Sequence, residues 1–257
     1  MVTTWAPDAF ERVVLGDRTV TLATPALPDP RGPDAARQVR ALIKAVTATL
    51  TPMGLRTQLT LRWPHRDTAM RRVLEDAGLQ VDAIWTWHAG PRQPPRTVHA
   101  AEIRPARPAD AQAVAELAVE EVRFHLPYSP FTRDLPVTRD WAEAIVGQPT
   151  PSQPVFVATV GETVAGYAVC SVVDTPDDGR LRRTPPGAHA HFLSVAVRAD
   201  ARGRGLGTAL VSRVQAILAH HGVHRFSAAY VPGNPLSSVF WPARGFEPVW
   251  IYYAAIL

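Results

Sequence analysis

The stretch with the most readable chemistry is Val195-Ala196-Val197-Arg198-Ala199-Asp200-Ala201-Arg202-Gly203-Arg204-Gly205-Leu206-Gly207-Thr208. An apolar strand runs into a glycine-rich turn that opens a helix. Successive amides in such a turn converge on an anion, and the helix dipole favours negative charge there. Glycine lets the backbone approach a ligand closely. The spacing therefore describes a phosphate cradle. Two familiar cradles are excluded. A P-loop requires Gly-Lys-Ser/Thr, and the single lysine of the chain is Lys44. A dinucleotide fingerprint requires a glycine where Thr208 stands, counting from Gly203 and Gly205.

Other residues could handle protons. His189 and His191 alternate on the strand leading to the turn, so they share one face. Histidine titrates near neutral pH and suits a general base or a proton relay. Tyr230, Tyr252 and Tyr253 offer hydroxyl acids. Asn234 is the only asparagine, and with Pro235 behind it reads as a helix N-cap followed by proline at the first helical position. Cys170 sits in an apolar run and reads as a small core residue.

The elements that must position these residues follow from periodicity. Thr97 to Arg104 alternates as a strand, and 110–124 reads as a helix with Val114, Leu117, Ala118 and Val122 on one face. Thr138 to Val146 is a shorter helix. Val155 to Val160 and Thr163 to Val173 form a hairpin around Gly161-Glu162. Ala190 to Val197 is a strand. Residues 205–221 are a helix with Leu206, Leu210, Val214, Ile217 and Leu218 in one stripe and Gly222 beyond its end. Arg225 to Val231 is a strand, Asn234 to Trp241 a short helix, and 246–257 is β-rich. The order is β-α-α-β-β-β-α-β-α-β, an α/β class with a mixed central sheet and flanking helices.

Length and composition set the frame. The 257 residues suffice for one large domain or two small ones, and 46% hydrophobic content excludes a disordered chain. No window of 18 uninterrupted apolar residues argues for a membrane span, and the N-terminus lacks the pattern of a signal peptide. A lone cysteine cannot form an internal disulfide or build a metal site by itself, so no metal is expected. These points suggest a cytoplasmic protein. The net charge of +4 divides into +4 for residues 1–97, −4 for 98–197 and +4 for 198–257. The acidic middle suits a cationic ligand and the basic end an anionic one. No basic run interleaved with aromatics argues for nucleic acid.

The glycine turn resembles the pyrophosphate-binding motif of the GCN5-related N-acetyltransferases, Arg/Gln-x-x-Gly-x-Gly/Ala, with Arg202, Gly205 and Gly207 at the matching positions. A second signature of that family follows one helix and one strand later, as Asn234, Ser237, Trp241 and Gly245-Phe246. The resemblance spans roughly residues 98–257. It implies the acyl-CoA N-acyltransferase fold and acetyl-CoA or another acyl-CoA as co-substrate. The amides of Gly203, Arg204, Gly205, Leu206, Gly207 and Thr208 would hold the pyrophosphate. The strand edge of Val195, Ala196 and Val197 would pair with the pantetheine and polarise the thioester carbonyl. Asn234, Ser237 and Trp241 would border the pantetheine arm. His191 falls near a position where family members often carry a catalytic glutamate, and arylalkylamine acetyltransferases carry alternate histidines on this strand. The chain departs from the family at Trp241, where a tyrosine usually protonates the leaving thiolate; Tyr230 is one substitute.

The first part of the chain looks like a partial copy of the second. Asp29 to Ala36 can be laid on Asp200 to Gly207, each leading into an amphipathic helix, here Ala35 to Leu50. A strand at Gln58 to Trp63, a helix at 67–77, Gly78-Leu79 in place of Gly-Phe and an aromatic strand around 84–87 follow. A hairpin, Val13 to Leu22, precedes. The cradle is lost, since Asp34 and Ala36 replace the glycines and Pro33 removes an amide. The expected organisation is a partial, cofactor-free lobe at 1–90, a Pro-rich linker at 91–97 and a complete acetyltransferase domain at 98–257. Tandem members of the family, such as mycothiol synthase, pair lobes in this way. The leading expectation is acetyl transfer to a primary amine of a small molecule in a ternary complex. The alternatives are a non-catalytic acyl-CoA-binding regulator, or an acyltransferase that draws on a charged tRNA or a carrier protein. The sequence is compatible with a homodimer.

Overall fold

The computed structural model describes residues 2–4, 19–22, 27–50, 58–90, 101–129, 135–178 and 184–256. The 91–97 linker and residues 13–18 of the expected hairpin lie outside them. The first lobe contains β1 (Val2–Thr4), β2 (Thr19–Leu22), α1 (Ala35–Leu50), β3 (Gln58–Pro64), α2 (Thr68–Asp76) and β4 (Gln80–His88). The second contains β5 (Ala101–Pro105), α3 (Ala111–His125), α4 (Leu135–Gly147), β6 (Val155–Val160), β7 (Thr163–Thr175), β8 (Gly187–Val197), α5 (Leu206–His220), β9 (Phe226–Tyr230), α6 (Ser237–Phe240) and β10 (Glu247–Ile256). The last short helix is briefer than its sequence pattern, and a 3₁₀ turn at Pro242–Arg244 continues it.

The strands form one mixed sheet in the order β1-β2-β3-β10-β4-β9-β8-β7-β6-β5. The same β-α-β unit occurs twice. β2 and β3 pair in parallel around α1, as β8 and β9 do around α5. In each unit a short helix and a long strand follow, and here the two lobes exchange partners. β10, the last strand of the second lobe, pairs antiparallel with β3 and β4 of the first. β4, the last described strand of the first lobe, pairs antiparallel with β9 of the second.

Three apolar clusters hold the sheet. Leu206, Leu210, Val214 and Leu218 of α5 pack on Phe192, Phe226 and Ala228. Val114, Leu117 and Ala118 of α3 and Ile145 of α4 pack on the other face, against Val157, Tyr167 and Val169. The first lobe buries Val39, Leu59, Leu61, Met70 and Leu74, together with Ile251 and Tyr253 of β10. Its core is thus completed by the far end of the chain. Ile251 is 1% exposed. Ile251→Ala is expected to destabilise the protein by about 2–5 kcal/mol. Urea unfolding followed at first-lobe tryptophans and by circular dichroism should lose stability together; loss in neither signal would count against the shared core.

Candidate functional site

The parallel pairing of β8 with β9 is brief, running Ala190↔Phe226, His191↔Ser227 and Phe192↔Ala228. Beyond Phe192 the strands part, while β8 stays paired with β7 as far as Val197. A bulge sets the phase there. Val169 faces Ser194 and Cys170 faces Phe192, so Leu193 is the extra residue. Arg198 N donates to Ala165 O at 2.9 Å. Counting back by the two-residue period of an antiparallel ladder, Ala196 and Ser194 bond to β7, and the amides of Val195 and Val197 turn to the open edge.

A cavity of about 490 Å³ fills this opening, bordered by Val195, Val197, the glycine turn, the start of α5 and the Asn234 to Arg244 segment. Gly203 and Gly205 have φ of 77° and 82°, the left-handed region in which glycine is favoured. Ala209 N donates to Gly205 O at 3.0 Å as the first bond of α5. The amides of Leu206, Gly207 and Thr208 precede it, α5 has no side-chain cap, and no acidic residue lies in its first turn. Those amides are the donors that a helix start leaves for an anion. Gly207 is also closely packed: a Cβ there would meet the Phe240 ring at 3.1 Å, so the ring would have to shift by a few tenths of an ångström.

Cationic side chains flank the turn. Arg202 Nε donates to Val197 O at 2.8 Å and Nη2 pairs with Glu120 at 2.8 Å, which ties the turn back to the strand and to α3. Arg244 lies 3.6 Å from the Phe240 ring centroid and donates to Thr208 Oγ1 and to Phe240 O. Asn234 Oδ1 accepts from the amides of Leu236 at 3.0 Å and Ser237 at 3.2 Å, so it caps the short helix while bordering the cavity. Trp241 is both cavity wall and core, 6% exposed and packed on Phe192 and Phe246.

A second cavity of about 180 Å³ adjoins the first. Glu121, His125, Phe192, Leu193, Ser194 and Ala229 line both. At this junction Glu121 Oε2 accepts from the Tyr167 hydroxyl at 2.8 Å and from Ser194 Oγ, and the two hydroxyls contact each other. Burial, then Glu121, pushes the Tyr167 hydroxyl well above its ordinary pKa, so it stays protonated. Burial lowers His125, which favours the neutral imidazole.

The residues singled out in the sequence divide as follows. Val195, Val197, Arg202, Gly203, Gly205, Leu206, Gly207, Thr208, Asn234, Ser237 and Trp241 line the larger cavity. Ala196 and Arg204 are absent from its lining, Ala196 because the bulge turns it toward the α3 side, where it packs on the second cluster. His191 and Tyr230 line the smaller cavity. His191 stacks on Trp85 with ring centroids 4.0 Å apart, and its Nδ1 is 2.9 Å from Ser227 Oγ. Burial raises the Tyr230 hydroxyl. His189 shares the face of His191, as the alternation requires, but lines neither cavity. It is 4% exposed and sits against Trp87.

Glu121, Tyr167, Ser194 and Arg244 are additions from the structure. Glu121 had a signal: it lies three and four residues after Ala118 and Leu117, on the buried stripe of α3. Arg244 had none. Asp82 of β4 is a further addition, partly buried on the smaller cavity and accepting from Ser129 Oγ at 3.2 Å. Burial pushes its carboxyl up to about 6. A raised carboxyl binds its proton more tightly when folded, so its cost is absent below the unfolded value and complete above the folded one. Asp82→Asn should therefore gain stability over the parent progressively between about pH 4 and pH 6, by about 1–3 kcal/mol at the plateau. Paired urea titrations across that range check this; a constant difference would contradict it.

Residues 113–246 match the profile of the Acetyltransferase (GNAT) family. No curated protein matches the sequence significantly. Among solved structures, a GCN5-related N-acetyltransferase from Kribbella flavida is similar with a TM-score of 0.58 at 14% identity, covering 95% of this chain and 83% of that one. A GCN5-related N-acetyltransferase from Sphaerobacter thermophilus gives 0.57 at 16% identity, covering 99% and 76%. A tandem GNAT protein from the clavulanic acid biosynthesis pathway gives 0.54 at 19% identity, covering 94% and 76%. At these identities the likeness is one of fold.

Proposed function

The chain belongs to the GNAT acetyltransferase family, and from that premise we propose that it transfers an acyl group from acyl-CoA, most simply acetyl-CoA, to a primary amine of a small molecule. The observation that carries the reading is the larger cavity, where an unpaired strand edge meets uncapped helix amides. An extended pantetheine arm needs the first and a pyrophosphate the second. Bound there, acyl-CoA supplies an activated thioester. The Val195 and Val197 amides are donors on the open edge, suited to an oxygen that gains charge. Leu206, Gly207 and Thr208 hold phosphate oxygens through their amides, with Arg202 and Arg244 beside them. The smaller cavity takes the acceptor, and the two reactants meet at the shared wall.

Protons are managed at that wall. The amine must lose a proton to attack and to leave the adduct neutral. Glu121 accepts that proton there, and His191, within the acceptor cavity, relays it. Trp241 has no transferable proton in the useful range and serves as wall. Ser194 Oγ, which borders both cavities and is bonded to Glu121 and the Tyr167 hydroxyl, is the hydroxyl placed to pass a proton to a leaving thiolate as Glu121 returns one to it. Tyr230 remains a second acid, protonated at neutral pH and placed in the acceptor cavity.

The second reading, an acyl-CoA-binding regulator, is favoured by Trp241 in the tyrosine position. One set of measurements separates the two: calorimetry with acetyl-CoA, then mass spectrometry of acetyl transfer to an amine panel. The enzyme reading expects binding that Gly205→Asp abolishes, and transfer that Glu121→Gln slows by about 10²–10⁴-fold with binding retained. Binding without transfer to any amine supports the regulator; no binding removes both.

A further inference from the structure

The smaller cavity has two differently equipped ends. The end shared with the larger cavity carries Glu121, already engaged by two hydroxyls. The other end carries Asp82, which is absent from the shared wall. Asp82 comes from the first lobe. β4 pairs with β9 up to Ile84↔Tyr230, and Asp82 lies two residues beyond that pair, where β9 has ended. There the strand exchange delivers a carboxylate into a chamber of the second lobe. Its Oδ1 accepts from Ser129 Oγ at 3.2 Å, a long bond for a hydroxyl donor. Between the ends the lining is mainly apolar, with Trp141 and Tyr230 among it.

A weakly engaged carboxylate in an apolar chamber is costly unless a cation or donor meets it. The chamber is thus complementary to a molecule with two nitrogen ends and an apolar middle. We propose that Asp82 is a specificity-determining residue that binds the second, non-reacting ammonium of a compact diamine acceptor, whose other amine reacts at the Glu121 wall. This rests on the acyltransferase reading and adds the substrate class and a task for the first lobe. The spacer packs on Trp141 and Tyr230, and its length sets which diamines reach both ends.

The test compares 1,5-diaminopentane with pentylamine, which matches it in length and lacks the second charge. The parent protein should use or bind the diamine with a kcat/KM or affinity on the order of ten- to a hundredfold above the monoamine. Asp82→Asn should collapse that ratio toward one, chiefly through KM. Acetyl-CoA calorimetry on both proteins comes first, and the melting temperature at pH 7 should not fall in the variant, since the buried charge is removed. Where turnover is too slow to follow, diamine calorimetry on the CoA-saturated protein reads the same ratio. Intact acetyl-CoA binding with a parent that ignores the second ammonium, or with a preference that survives Asp82→Asn, overturns the proposal. Loss of acetyl-CoA binding in the parent overturns the underlying acyltransferase reading instead.

Discussion

Everything at the site depends on β8 losing one partner while keeping the other. From Ser194 onward the strand is paired with β7 and unpaired toward β9. An open edge inside a sheet leaves backbone groups without partners, a cost that folded proteins avoid unless something else can pair with them. Here the opening is lined rather than filled. α5 starts at its mouth with left-handed glycines, Arg202 ties the turn to Val197 O, and Asn234 with Trp241 forms the opposite wall. Under the proposed function, acyl-CoA is the partner of that edge.

The parting of the strands also explains why the lobes are joined as they are. β9 is only five residues long. Its outer edge is covered by β4, and β10 then bridges β4 to β3. The exchange gives the first lobe Ile251 and Tyr253 for its core, and it gives the second lobe Asp82 and the Trp85 ring under His191. The first lobe is therefore part of the wall of the smaller cavity, through Asp82 and Ala83.

Local features were legible in the sequence because local physics sets them. The glycine turn, the α5 stripe, the Asn234 cap and the hairpin around Gly161 depend on neighbours a few residues away. The shared face of His189 and His191 was equally local, yet of the two only His191 lines the smaller cavity, because what lies opposite each ring comes from β4. Non-local features were not legible. The bulge at Leu193, which turns Ser194 toward Glu121, is visible only once β7 is in register. The Tyr167 hydroxyl meets Glu121 across 46 positions, and Asp82 meets Ser129 across 47. Strand order itself joins the end of the chain to its first third, and no periodicity encodes that.

The central claim is that the open β8 edge and the start of α5 together bind acyl-CoA. Amide hydrogen exchange with and without CoA tests it at the atoms concerned. Slowed exchange is expected at Val195, Val197 and the 203–208 amides, with little change at β1 to β3. Unchanged exchange at those amides at saturating CoA, or protection confined to other surfaces, would contradict it.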